Sequence, residues 1–330
     1  MIEIVTAGAL TTVQDRGRYG CMRWGVGSAG AMDGVALAIG NILLGNAEHR
    51  AAIEVQVFPF RVRFSSESAF AITGADCAAH LDGLALMPWS VHTARAGQEL
   101  HLGTPQGGAV RTSRAYVCLP GGVDVPVVLH SRSTQLRGAF GGLEGRPLRQ
   151  GDTLCAGTAS SADKPGLLGL VPPDVALPLR CDGLAAVRVL PAAEYDKYTA
   201  TSQAAFWRNA WKITPQSDRY GYRLSGDEPL KAVAPMEMRS HGIVPGVIQV
   251  PPDGQPIVQM RDAQPTGGYP KVGTVIEADL WRLGQAPIGS RIRFVETTWD
   301  AALDALDELQ AWLADVGRQV GLHRNTRSAA

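Results

Sequence analysis

Phe60-Arg61-Val62-Arg63-Phe64 alternates apolar and charged residues without a break, and its reading decides the fold class. Successive side chains of a β-strand point to opposite faces, so this stretch buries one face and wets the other. The same period of two recurs, in part, in Ala186-Val187-Arg188-Val189-Leu190 and again in Ser290-Arg291-Ile292-Arg293-Phe294-Val295. Ala115-Tyr116-Val117-Cys118-Leu119 and Gly246-Val247-Ile248-Gln249-Val250 predict more fully buried strands. Between such runs stand 38 glycines and 21 prolines, the punctuation of a sandwich or barrel of short strands. The expectation is a mainly β protein.

Few helices are predicted. Met32 to Leu44 carries Val35, Ile39, Ile42 and Leu43 at helical spacing and stops at Gly45-Asn46. A second runs from Ser202, as its cap, to about Asn209. The last starts at Thr298, and Trp299, Leu303, Leu306, Trp312, Leu313 and Val316 form its apolar stripe. It is expected to end near Gly317, leaving the basic, small-residue tail from Arg318 to Ala330 frayed. The 330 residues exceed what one core serves, and Ser160 to Leu179, with Pro165, Pro172, Pro173 and Pro178, reads as a connector. Two domains are therefore expected, residues 1–180 and 181–330.

Composition excludes several classes. Charged residues make up 19% and apolar residues 45%, ordinary for a folded globular chain. The 31 basic and 31 acidic side chains are spread along the length, which gives no footprint for nucleic acid or an anionic membrane. No apolar run approaches the roughly 20 residues of a bilayer span, and Met1 to Thr6 lacks a signal-peptide pattern, so a cytoplasmic location is expected. The five cysteines, at 21, 77, 118, 155 and 181, include no Cys-x-x-Cys pair and suggest neither a disulfide framework nor a metal site. Phosphate-loop, nucleophile-elbow and dinucleotide signatures are all missing.

What the sequence offers instead is a series of Gly-flanked polar clusters, the way loops present side chains and bare backbone to a ligand. The first contains Gln14 and Asp15 and continues from Gly25 to Asp33 at the mouth of the first helix, where N–H groups could hold an anion; Asp15 and Asp33 serve a ligand or simply satisfy turns and caps. The second runs from Gly121-Gly122 through Ser131-Arg132-Ser133-Thr134 to Gly141-Gly142. Its Arg132 fork matches two oxygens of an anionic substrate. The third, Asp218-Arg219-Tyr220-Gly221-Tyr222-Arg223, reads either as a set for orienting a polar small molecule or as an internal salt-bridge knot. The fourth, Asp262-Ala263-Gln264-Pro265-Thr266-Gly267-Gly268-Tyr269-Pro270, lets a ligand approach the main chain at its Gly pair, although a plain hairpin would use the same pair. Candidate catalytic residues are Arg132, Asp218, Arg219 and Asp262. Candidate substrate-binding residues are Gln14, Asp15, Ser131, Ser133, Thr134, Tyr222, Arg223, Gln249, Gln264, Thr266, Gly267, Gly268 and Tyr269.

These clusters resemble, in order, the family of allophanate hydrolase subunit 2, the carboxyltransferase domain with subdomains A and B. Thr12 to Gly20, Ser28 to Asp33, Gly121 to Thr134, Ser217 to Gly226, and Asp262 to Pro270 continuing to Gln285 carry the resemblance. It implies two cyclophilin-like β-barrel subdomains. It also implies a cyclophilin-like B subunit as partner (the allophanate hydrolase subunit 1 type), expected as a separate chain because no such region precedes Met1, and a possible third subunit. The activity implied is that of an ATP-dependent 5-oxoprolinase, in which 5-oxoproline, ATP and water give glutamate, ADP and phosphate, with ATP handled by or with the partners. Two alternatives stay open. One is the carboxyltransferase component of a urea carboxylase or allophanate hydrolase system, with biotin supplied in trans, since Met236-Glu237-Met238 lacks the acceptor Lys of a biotin site. The other is a non-catalytic antagonist of a kinase-inhibitor partner. The family pattern carries Pro, Gly and Thr where this chain has Ser28, His130 and Pro265.

Overall fold

The computed structural model describes residues 1–106, 112–159 and 167–328. The chain is mainly β and divides into two compact units. The first comprises Met1–Arg18, Ala29–Ala176 and Gln310–Ala330; the second comprises Tyr19–Ser28 and Leu177–Leu309.

In the first unit, seven strands form one antiparallel sheet in the order Val123–Asp124, Thr153–Ala156, Ile2–Thr6, Phe60–Phe64, Glu99–Leu102, His80–Leu81, Leu84–Ala85. Five more form a second, ordered Thr12–Gln14, Ala52–Val55, Ala115–Cys118, Ser68–Gly74, Ser90–Ala94. One core holds Ile2, Ile4, Val13, Ile53, Phe60, Val62, Phe64, Phe70, Ile72 and Val117. The alternation of Phe60–Phe64 is realised: its three apolar residues are buried, while Arg61 and Arg63 reach across the wet face to Glu99. Ala115–Cys118 is covered on both faces because Ala115 and Val117 join this core while Tyr116 and Cys118 join a second one beneath the first helix.

That helix, α1, spans Gly34–Leu43. Asp33 caps it, accepting from the N–H groups of Val35 at 3.0 Å and Ala36 at 2.8 Å. The carboxylate thus occupies the donors the sequence had offered to an anion. Gly45 closes the other end at φ 71, with Gly45 N–H bonded to Ile42 and Asn46 N–H to Asn41, the paired bonds of a Schellman stop. The expected connector lies partly outside the described residues. Within them, Leu168 and Leu170 bond to Val91 and Trp89 at the edge of Ser90–Ala94, so that part of the segment is tied to the sheet.

The second unit is a closed barrel. Leu184–Pro191, Lys271–Val275, Val247–Gln249, Ile257–Gln259, Gly221–Ser225, Trp211–Ile213 and Arg291–Glu296 pair in succession, and Arg291–Glu296 returns to Leu184–Pro191 in parallel register. Helix α2, Ala200–Arg208, is capped three residues earlier than predicted: Thr199 Oγ1 accepts from Ser202 N–H, and Ser202 Oγ instead accepts from Lys231 N–H. Phe206 carries the helix onto the rings of Phe294 and Trp211. Helix α3, Leu280–Gln285, follows a fully buried Asp279 whose carboxylate binds Arg188 and Arg282. Six residues are too few for a readable helical period, so nothing in the chain's pattern announced it.

Helix α4 runs Trp299–Ser328 and does not stop at Gly317. The expected frayed tail is helical because Leu313 and Val320 pack into the α1 core, and Arg324 donates to the Leu44 carbonyl at 2.9 Å. A small-residue, basic composition concealed two anchors on one face. No helix among the described residues is long and apolar enough to cross a membrane.

Candidate functional site

In the first unit the first two sequence clusters meet. Asp15 is buried, and its carboxylate accepts from Ser131 Oγ at 2.7 Å, Ser133 Oγ at 2.5 Å, Arg132 N–H at 2.5 Å and Gly17 N–H at 2.8 Å. Gln14 Nε2 donates to the Thr134 carbonyl at 3.1 Å, and Thr134 Oγ1 donates to the Val13 carbonyl at 3.0 Å. Four donors on one carboxylate satisfy its lone pairs, so Asp15 fixes the loop that carries Arg132. Arg132 itself bonds to the Val125 carbonyl and lies 3.4 Å from Asp124, with its side chain 26% exposed. Of its five donors, several remain for a ligand.

The Gly pairs here are closely packed on the side a side chain would occupy: a Cβ on Gly121 would lie 2.5 Å from the Gly157 backbone, and Gly141 and Gly142 press against Ser133 and Thr134. His130 sits at φ 63 in the tight turn joining Val128 to Ser131.

In the second unit, Arg219 and Asp262 form a buried bidentate pair at 3.1 and 2.9 Å, with side chains 2% and 5% exposed. The knot is the alternative the sequence left open, and this face of the Arg219 fork is spent on Asp262. Asp218 accepts from Tyr220 N–H at 2.8 Å and caps its own turn, just as Asp15 accepts from Gly17 N–H. Tyr222 is buried while Arg223 is exposed, because neighbours on a strand face opposite ways. The excursion Tyr19–Ser28 backs the fourth cluster: Ser28 Oγ donates to the Arg261 carbonyl at 3.3 Å, and a Cβ on Gly27 would lie 2.5 Å from the Ala263 carbonyl.

The fourth cluster holds the densest polar group. Thr266–Gly267 pairs with His241–Gly242, and Gln249, paired to Lys271, donates to the Tyr269 carbonyl at 3.2 Å and accepts from Gln259 at 3.0 Å. Gly267 is required here, since a Cβ would sit 2.7 Å from Gln249 Nε2. Gln264, Thr266 and Tyr269 are exposed and available to a ligand. Beside them stand three residues the sequence reading missed. Lys271 Nζ lies 2.7 Å from His241 Nε2 and 3.4 Å from Glu194 Oε2, and Lys271 N–H donates to the same Glu194 oxygen at 2.9 Å. They come from three separate segments, so no local motif announced them; only Lys271, next after the quoted Pro270, was within reach. Burial and the nearby Glu194 charge push the Tyr198 phenol up to about 12. Among the described residues, no group of three or more His, Cys, Asp or Glu side chains is placed to hold a metal ion.

The chain thus pairs a closed barrel carrying polar loops with a two-sheet unit whose Asp15 knot presents an arginine. The chain belongs to the family described as carboxyltransferase domain, subdomain A and B, whose model matches residues 24–296. It is 42% identical to the 5-oxoprolinase C subunit of Escherichia coli over 314 residues, 94% of this chain and 96% of that protein. It is 40% identical to the protein of the same name from Haemophilus influenzae, over 97% and 99% of the two. Urea amidolyase of Saccharomyces cerevisiae is 30% identical over 91% of this chain but only 17% of its own length. The crystal structure of the Kluyveromyces lactis urea amidolyase superposes with a TM-score of 0.87 at 26% identity, covering 96% of this chain and 20% of that one.

Proposed function

We propose that this chain is the C subunit of an ATP-dependent 5-oxoprolinase, acting with a cyclophilin-like B subunit and a third subunit to open 5-oxoproline to glutamate while ATP becomes ADP and phosphate. The observation that carries the reading is identity of 42% and 40% with two relatives of that name matched almost end to end. A lactam amide resists water, and coupling its opening to ATP proceeds by phosphorylating the carbonyl oxygen to make a better electrophile. We assign the nucleotide mainly to a partner because this chain has no phosphate-loop sequence. For the anionic substrate we offer Arg132 in the first unit, on the loop that Ser131 and Ser133 tie to Asp15 and Thr134 ties to Val13. In the second we offer Gln249, Gln264, Thr266, Gly267, Gly268 and Tyr269, with Arg219 and Asp262 holding the loop that bears them. The test mixes the three purified subunits with ATP and 5-oxoproline; equal glutamate formation with and without this chain refutes the proposal.

A second reading, carboxyl transfer from biotin carried by another chain, draws support from the family description and from the urea amidolyase superposition. Purified chain and B-type partner supplied with carboxybiotin and urea would then release free biotin and a carboxylated urea; no such transfer removes this reading.

A further inference from the structure

Lysine side chains are seldom buried unless their charge is answered. Lys271 is an instance, its side chain only 20% exposed. Two partners hold its ammonium, and they hold it unequally. His241 Nδ1 lies 3.0 Å from the Arg239 carbonyl, so that nitrogen carries the proton and Nε2 is the acceptor for Lys271 at 2.7 Å. Glu194 Oε2 stands at 3.4 Å, outside the range of a charge-assisted bond, and is already bonded to the Lys271 N–H at 2.9 Å. An ammonium has three protons. One is fixed on His241, one leans loosely toward Glu194, and the third is left for a ligand.

The surroundings suit a small carboxylate. The lysine follows the Gly267-Gly268-Tyr269 loop after one proline, and beside it the Thr266 and Tyr269 side chains are exposed. Gln249, bonded to the Tyr269 carbonyl and to Gln259, fixes that loop against the barrel. His241 steers Nζ by accepting at Nε2, and the Glu194 carboxylate answers the ammonium's charge.

Resting on the reading above, we propose that Lys271, steered by His241 and neutralised by Glu194, is the anchor for the carboxylate of the lactam substrate. 5-Oxoproline differs from 2-pyrrolidinone by that carboxylate alone, which gives the test its contrast. In the reconstituted three-subunit assembly, Lys271→Met is expected to raise KM for 5-oxoproline by roughly tenfold to a hundredfold, the range for loss of a hydrogen bond to a charged group. The effect is expected in KM rather than kcat, and inhibition by 2-pyrrolidinone is expected to match wild type. Lys271→Arg, which keeps the charge and covers the case in which the Met variant fails to fold, is expected to recover part of the loss. An unchanged KM, a loss confined to kcat, or weakened inhibition by 2-pyrrolidinone alongside the KM effect overturns the anchor while leaving the 5-oxoprolinase reading in place. A wild-type assembly inactive on 5-oxoproline overturns both.

Discussion

The Arg219–Asp262 pair offers the sharpest perturbation, because its energetics separate a scaffold from a reacting group. Both side chains are almost wholly buried and joined by two bonds of 3.1 and 2.9 Å. Asp262→Ala leaves a guanidinium buried without its counter-charge, and breaking such a pair from one side costs about 3–5 kcal/mol. At the lower bound that is a change of about 150-fold in the ratio of folded to unfolded protein. Arg219→Met strands the carboxylate and is expected to cost as much. Replacing both together, Arg219→Met with Asp262→Leu, removes the ions in step, and apolar replacement of a whole buried pair is often neutral, so the double variant is expected within about 2 kcal/mol of wild type. Urea titrations followed by tryptophan fluorescence, compared at equal slope, give the four corners of the cycle. Single variants within about 1 kcal/mol of wild type, or a double variant as unstable as the sum of the singles, would refute the reasoning about burial. If the double variant regains stability but the assembly stays inactive, the pair does more than hold its loop.

Three further outcomes are expected. Burial pushes the Cys77 and Cys118 thiols up to about 12, so a thiol reagent at pH 8 should label exposed Cys155 quickly and those two only after denaturation; rapid native labelling of Cys118 would contradict the packing beneath α1. His130→Gly relieves a left-handed residue in an exposed turn and should stabilise by about 0.5–1 kcal/mol, measured as a raised urea midpoint; a lowered midpoint would mean the imidazole has a partner that outweighs the strain. Hydrogen bonds from the Arg146 guanidinium hold the Asp152 carboxyl below its ordinary 3.8, so its contribution is complete above that pH and fades as pH falls through the lowered value. Asp152→Asn should therefore be less stable than wild type at pH 7, by a margin that narrows as pH falls through the lowered value, and a difference independent of pH would place the effect elsewhere.

Much of the β architecture is legible because it is written locally. Phe60–Phe64 can bury only one face, and Ala115–Cys118 has no wet face to offer. Closure of the barrel is not, since it depends on Leu184–Pro191 meeting Arg291–Glu296 from the two ends of the second unit, and neither strand names its partner. The same limit governs the site. Asp15 and the Ser131–Thr134 run are each conspicuous, yet the bonds that make Asp15 a knot span well over a hundred residues of chain. Lys271, His241 and Glu194 are unremarkable wherever they stand alone, and become a cluster only when the loop after Thr266 pairs with His241. The end of α4 escapes a sequence reading for a related reason: Val320 and Arg324 matter through what they touch, not through the composition around them.

The ten residues Tyr19–Ser28 and the end of α4 bear on how such a chain can be divided or inherited. The second unit owns Tyr19–Ser28, a segment set within the first unit's stretch of sequence, and the first unit owns Gln310–Ala330, which follow the second's. A cut near residue 180 would strip Arg261 and Ala263 of the backing that Ser28 and Gly27 provide, and would uncover α1 where Leu313, Val320 and Arg324 now lie. Neither unit is one unbroken stretch of sequence, so a split or a recombination event at the midpoint leaves both incomplete.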